Sequence, residues 1–215
     1  MAVCLLMIFI VISLAFSSGR LSKINYSEMV VSIAKDSPRF LGEEEIERMI
    51  HKADTKLLEK KLNEINTEQL EDALKKVAAI KNIEIFRRIT GTDMDFKGKL
   101  LVEVEQRNPI LRIMNDHEDF YLDREGVRIP ASSVFTAKVL LVNGHLDEKY
   151  AREQLLPMVI FINENEFWKA QIEQLQVKTN GEIILAPLVG DQLIEFGHLF
   201  LPEVVLSGLS KTHFR

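Results

Sequence analysis

Residues 1–19, MAVCLLMIFIVISLAFSSG, carry no acidic or basic side chain, and all 27 basic and 32 acidic residues of the 215-residue chain lie beyond them. That division assigns one end to a membrane and the rest to water. The apolar run from Met1 to Phe16 sits at the short edge of the roughly 17–25 residues a helix needs to cross about 30 Å of hydrocarbon, and Ser17 and Ser18 add a last turn. Length therefore favours a transmembrane anchor over residues 1–18. A cleaved secretory signal is the alternative: Ala15-Phe16-Ser17 is a tolerable cleavage site, but a basic n-region is missing. Arg20 and Lys23 follow the segment, and the positive-inside rule taken alone would turn the chain the other way.

The remainder is long enough for one large or two small domains. A net charge of −5 argues against a nucleic-acid partner, which calls for a basic footprint. The single cysteine, Cys4, lies in the apolar segment, so the chain has no internal disulfide, and its charged part has no cysteine ligand or nucleophile.

Patterning predicts an α+β fold in two modules. A first strand is expected at Met29 to Ile33, and the acid-led stretch from Gly42 to Ile50 places Ile46, Met49 and Ile50 on one helical face. Residues 54–65 suit either helix or loop. The clearest helix carries Leu70, Ala73, Leu74, Val77 and Ala78 on its apolar stripe, capped by Asn66 or Thr67, with Glu71 facing solvent beside Lys75. Strands at Ile83 to Ile89 and Leu100 to Glu105 complete a β-α-α-β-β order over residues 20–107.

Beyond Pro109 the pattern turns to hairpins. Strands are expected at Ile110 to Met114, Phe120 to Asp123, Val127 to Ile129, Lys138 to Val142, Ala170 to Val177, Glu182 to Leu185 and Gln192 to Phe196. A helix over residues 147–162 is interrupted at Pro157, and Asn180-Gly181 is a strong hairpin signal. Trp168 reads first as a core aromatic closing the helix onto the sheet, and second as an exposed anchor.

No catalytic constellation emerges. The five histidines are scattered without HExxH spacing, Asp116-His117-Glu118-Asp119 reads as a solvated turn, and neither a nucleophile elbow nor a phosphate-cradling glycine loop is present. The expectation is a protein without enzymatic activity, cofactor or metal, offering edges and faces to other proteins.

Several strings resemble the bacterial cell-division family FtsQ/DivIB: Glu64-Ile65-Asn66-Thr67-Glu68-Gln69-Leu70-Glu71, Val102-Glu103-Val104-Glu105-Gln106-Arg107-Asn108-Pro109-Ile110 and Phe120-Tyr121-Leu122-Asp123-Arg124-Glu125-Gly126. The run Phe167 to Leu175 with Trp168, the hairpin Thr179-Asn180-Gly181-Glu182-Ile183, Leu188-Val189-Gly190 and Ile194-Glu195-Phe196-Gly197 continue it in the family's order over about residues 20–197. The resemblance implies a single-pass inner-membrane protein with a membrane-proximal POTRA domain and a following β domain over residues 108–197, both in the periplasm. It also implies a scaffold of the divisome that binds FtsB and FtsL and links early division proteins to septal peptidoglycan synthesis. In this family the terminal strand region accepts a strand from FtsB. Residues 198–215 do not resemble that region, so the expectation is an incomplete β domain with an atypical tail, weak or no FtsB/FtsL binding, and Gln192-Leu193-Ile194-Glu195-Phe196 as the bared edge. The alternative from another class is a POTRA-bearing translocation or outer-membrane assembly factor, which calls for repeated POTRA units and a barrel.

Overall fold

A computed structural model of the chain describes residues 6–10, 24–91, 95–115, 118–190 and 192–199. Residues 6–10 are helical, and no helix among the described residues is long and apolar enough to cross a membrane. Most of the expected anchor over residues 1–18, and the tail beyond residue 199, lie outside the described residues. The chain divides into two compact units after Gln106.

The first unit runs β1 (Tyr26–Ile33), α1 (Glu43–Ala53), α2 (Thr67–Leu74), β2 (Ile80–Thr90) and β3 (Lys97–Gln106). The sheet order is β1-β3-β2, with β1 parallel and β2 antiparallel to the central β3. Alternation on β3 sends Leu100, Val102 and Val104 to the buried face, where Ile83 and Ile85 of β2 and Ile33 of β1 join them. Helix α1 opens on Glu43, Glu44 and Glu45, which complement its N-terminal dipole, and buries Ile46 and Ile50 one turn apart. Residues 54–65, ambiguous in sequence, form two 3-10 turns, Leu57–Glu59 and Leu62–Glu64, that plug Leu57 and Leu62 into the core.

Two expectations for α2 are corrected. Asn66 caps it, accepting from the Gln69 N–H at 3.0 Å, but the helix stops at Leu74 instead of continuing to Ala78. Tight turns replace it, with the Val77 N–H bonded to the Leu74 carbonyl and the Ile80 N–H to that of Val77, because the chain must reverse at once into β2. Val77 is thus half-buried and off the helix. Glu71, expected on the solvent side, instead accepts the Ile85 N–H at 2.8 Å while Lys75 stands 3.8 Å away. Ile85 lies on the strand whose far side has no described neighbour, so the carboxylate satisfies a backbone donor that the sheet leaves open.

The second unit is a seven-stranded sheet in the order β10-β9-β8-β7-β4-β5-β6. Its strands are β4 (Pro109–Met114), β5 (Asp119–Asp123), β6 (Arg128–Pro130), β7 (Leu140–Gly144), β8 (Ile172–Val177), β9 (Ile183–Pro187) and β10 (Ile194–Gly197). The β4-β7 and β7-β8 pairs are parallel and the others antiparallel. Between β7 and β8 a helical crossover passes from one α-turn, Glu148–Tyr150, through a π-helical segment, Ala151–Leu155, into α3 (Leu156–Glu164) and then α4 (Glu166–Gln171). The expected interruption at Pro157 takes this form: the Leu156 N–H reaches back five residues to the Ala151 carbonyl, widening the turn just where proline lacks a donor. Ala170 and Gln171, expected in a strand, belong to α4, which Asn165 caps by accepting the Trp168 N–H at 3.2 Å. The helices cover one sheet face with Leu155, Val159, Ile162 and Trp168 against Leu111, Phe120, Val142 and Leu175. Trp168 is core, and Phe167 meets it edge-on at 5.3 Å while remaining 54% exposed.

These contacts rank three substitutions in the first unit. Leu74→Asp places an unpaired carboxylate at a site 2% exposed and unfolds the unit, whereas Val77→Asp, off the helix, is better tolerated. Glu71→Ala orphans the Ile85 N–H and costs about 1–2 kcal/mol, with Glu71→Gln intermediate because its amide oxygen still accepts. Amide exchange at Ile85 checks the assignment: protection falls in Glu71→Ala and is largely kept in Glu71→Gln.

Candidate partner-binding edge

The positions that carry the family resemblance fall into a structural group and an edge group. In the structural group, Val104 is core and Glu105 pairs with Lys81 at 3.0 Å. Gln106 is fully buried and acts as a substitute peptide: its Oε1 accepts the Leu41 N–H at 2.9 Å, its Nε2 donates to the Leu41 carbonyl at 2.8 Å, and its own N–H donates to Ser37 Oγ at 3.1 Å. This staples the end of β3 to the segment entering α1.

The next residue, Arg107, serves the second unit. Its Nη1 donates to Asp123 Oδ2 at 2.8 Å and to Glu125 Oε2 at 3.0 Å. Burial opposes its charge, but the two carboxylates outweigh burial and hold the guanidinium pKa above its ordinary value. The other oxygen of Asp123 accepts the Glu125 N–H at 2.9 Å and the Val127 N–H at 2.8 Å, so one carboxylate, 5% exposed, both closes the β5–β6 turn and anchors the chain just before Pro109 opens β4. Gly126 completes the turn at φ +75°, where a Cβ would come within 3.0 Å of Arg152 Cγ.

In the edge group, Ile194, Glu195 and Phe196 lie on β10, one of the two end strands of the sheet, whereas Gln192 and Leu193 precede it. Strand β10 pairs with β9 through Ile194–Leu185, Glu195–Ile184 and Gly197–Ile183, with a bulge between Glu195 and Gly197. No described strand pairs its other side. Ile194 and Phe196 turn toward the core, and Glu195 is exposed. Gly197 at φ +84° takes up the bulge, and Gly190 at φ +96° shapes the bend before the strand.

The neighbouring hairpin supports the edge. The Gly181 N–H bonds the Lys178 carbonyl at 2.9 Å with Gly181 at φ +84°, and the Lys178 N–H bonds the Glu182 carbonyl at 2.8 Å, a turn closed by a glycine bulge rather than a two-residue loop. Asn180 Oδ1 accepts the Glu182 N–H at 3.0 Å, and His198 Nε2 lies 3.0 Å from the Asn180 carbonyl, holding the chain beyond β10 against the turn. Lys178 bridges Glu182 at 3.1 Å and Glu195 at 3.7 Å. The side chains of Asn180 and Lys178 keep the Glu182 carboxyl below its ordinary range, and Glu182 in turn raises Lys178.

Sequence reasoning missed the apolar patch beside this edge. Leu188, Val189 and Leu193 are 54%, 83% and 62% exposed where the chain passes from β9 to β10. The signal available was three large aliphatic residues around Gly190 with no strand or helix period to bury them. An exposed strand edge flanked by such residues is suited to accept a peptide in extended form, main chain to main chain with side-chain pockets alongside. Among the described residues no three His, Cys, Asp or Glu side chains gather as metal ligands, and Asp116 and His117 lie outside the described residues.

Two consequences separate the groups. Asp123→Ala removes one of the two carboxylates that hold Arg107, leaves two backbone donors without their acceptor and costs about 2–4 kcal/mol, against about 1 kcal/mol or more for Gly126→Ala, and the fluorescence of the single tryptophan, Trp168, during urea unfolding reads both. Val189→Ser and Leu193→Ser leave the midpoint within about 0.5 kcal/mol of the parent, because nothing is lost from the core.

Comparison with known families gives two matches. Residues 27–92 match a POTRA-like domain, and residues 108–205 match the FtsQ/DivIB, C-terminal related domain, a match that runs past Gly197. No curated protein matches the chain.

Proposed function

Because this chain belongs to the FtsQ/DivIB family of cell-division proteins, we propose that it is a non-enzymatic scaffold of the divisome. In this reading residues 1–18 anchor it in the inner membrane, both units stand in the periplasm, and the β10 edge receives an extended segment of FtsB with FtsL alongside. The scaffold then links early division proteins to the septal peptidoglycan synthesis machinery by contacts alone. The observation that carries the reading is the bare side of β10 beside exposed Leu188, Val189 and Leu193, on the domain that matches the FtsQ/DivIB C-terminal related family. That match favours a divisome scaffold over an outer-membrane assembly factor, with which the chain shares only the POTRA-like unit.

Strand addition draws its affinity from main-chain hydrogen bonds, each worth about 0.5–1.5 kcal/mol net. Four such bonds, at roughly 2–6 kcal/mol together, set the scale between no detectable capture and a working complex. The test is titration of the full chain, in detergent, with the periplasmic segment of FtsB and FtsL. Glu195→Pro on the edge strand and Leu193→Asp beside it each weaken binding at least about tenfold while thermal unfolding stays near the parent value. Affinity unchanged by both substitutions, or no binding by the parent chain, removes β10 as the docking edge. Carbonate extraction of membranes checks the anchor, and a soluble mature protein beginning near Ser18 overturns it.

A further inference from the structure

Three rows of side chains cross the outer face of the three-stranded sheet of the first unit, each row taking one residue from β1, β3 and β2. The middle row is apolar: Val30, Leu101 and Phe86 are in register, with Val30 41% and Phe86 45% exposed. One step toward the start of β3 stand Glu28, Lys99 and Arg88, and one step toward its end stand Ser32, Glu103 and Glu84.

Each flanking row sets like charges directly opposite across the β3–β2 pair, Lys99 beside Arg88 and Glu103 beside Glu84, which destabilises a sheet standing alone. Lys99 is relieved by Glu28 at 2.8 Å. Arg88, Glu84 and Glu103 have no salt-bridge partner among the described residues, and Glu84 receives only a 3.3 Å hydrogen bond from Asn82. Glu84 and Glu103, with Ser32, also line a shallow cavity of about 220 Å³. The two charged rows lie about 13 Å apart along the strands at about 3.3 Å per residue, too far to neutralise each other within one chain.

Reversing the strand direction exchanges the two charged rows and leaves the apolar row in place. We propose that this face is a self-association surface, on which a second copy of the chain docks antiparallel about a twofold axis running across the strands through Val30, Leu101 and Phe86. That operation stacks the apolar row on its own copy, sets Arg88 of each chain opposite Glu84 of the other, and sets Lys99 opposite Glu103. A basic peptide from another protein would neutralise only the acidic row and leave Arg88 facing Lys99. A second copy neutralises both. The patch covers a few hundred Å² per chain against about 800 Å² in a standard complex, so the association is weak and depends on high local concentration.

The full chain in detergent, sedimented from micromolar to millimolar concentration, shows a reversible monomer–dimer equilibrium. Arg88→Glu alone and Glu84→Arg alone each weaken it at least about tenfold, because each places like charges across the axis. The double exchange R88E/E84R restores it, since positions 84 and 88 trade sign together and stay opposite in charge across the axis. In a Cys4→Ser background a short bis-maleimide joins two chains through Leu101→Cys, with sheets stacked about 10 Å apart, but not through Asp72→Cys on α2, which lies over the other face. A chain that stays monomeric throughout, a dimer untouched by either single exchange, or a double exchange that remains monomeric overturns the proposal. Thermal unfolding of all three charge variants near the parent value ties the loss of dimer to the surface rather than to the fold.

Discussion

A strand at the rim of a sheet leaves half of its N–H and C=O groups facing away from its only neighbour, and each of them needs water, a side chain or another strand. In the first unit these groups are met in two ways. The segment around Lys60 and Lys61 lies along the start of β1, with the Tyr26 N–H bonded to the Lys60 carbonyl and the Leu62 N–H to that of Ile24. On the opposite rim Glu71 reaches from α2 to the Ile85 N–H of β2. In the second unit β10 carries a bulge and a charged residue at its centre, both of which discourage indiscriminate pairing, but no described strand covers it. This open rim lies on the unit that matches the FtsQ/DivIB, C-terminal related domain.

Within each unit, order is imposed by a small number of buried polar groups. Gln106 and Arg107 are adjacent in sequence, yet the first completes the hydrogen bonding of Leu41 and the second holds Asp123. In a medium of low polarity such groups have few alternative partners, so each fixes one arrangement of the chain around it. Their worth is best seen as the cost of breaking them: an apolar core tolerates many repackings, but an orphaned buried carboxylate or guanidinium tolerates none. The same logic makes the Arg107–Asp123 pair an organiser of the second unit rather than a binding site.

Much of this was legible in the sequence. The β-α-α-β-β order follows from periods of 3.6 and 2 in the apolar residues of the first unit, and the Asn66 cap and the acid-rich start of α1 follow from local hydrogen bonding and the helix dipole. Two of the three errors arise from contacts distant along the chain, the third from a local cap. The stripe through Val77 and Ala78 is a good helix by period, but the chain needs those residues to turn into β2. Glu71 has a favourable partner four residues on in Lys75, yet a backbone donor fourteen residues away takes the carboxylate. Ala170 and Gln171 are compatible with a strand, and the cap at Asn165 placed them in a helix.

The sequence by itself determined which end is apolar, the class and order of the elements, the buried faces of the helices and strands, and the motif strings of the family, because each of these depends on residues within a few positions of one another. Only the tertiary structure decided the order of strands in the second sheet, the rim at β10, the acceptor role of Glu71 and the registration of Val30, Leu101 and Phe86 between opposed rows of charge. Those features arise where strands far apart in sequence are laid side by side. Register across a sheet is set by the packing of its buried face, and the outer face inherits whatever juxtaposition that packing imposes.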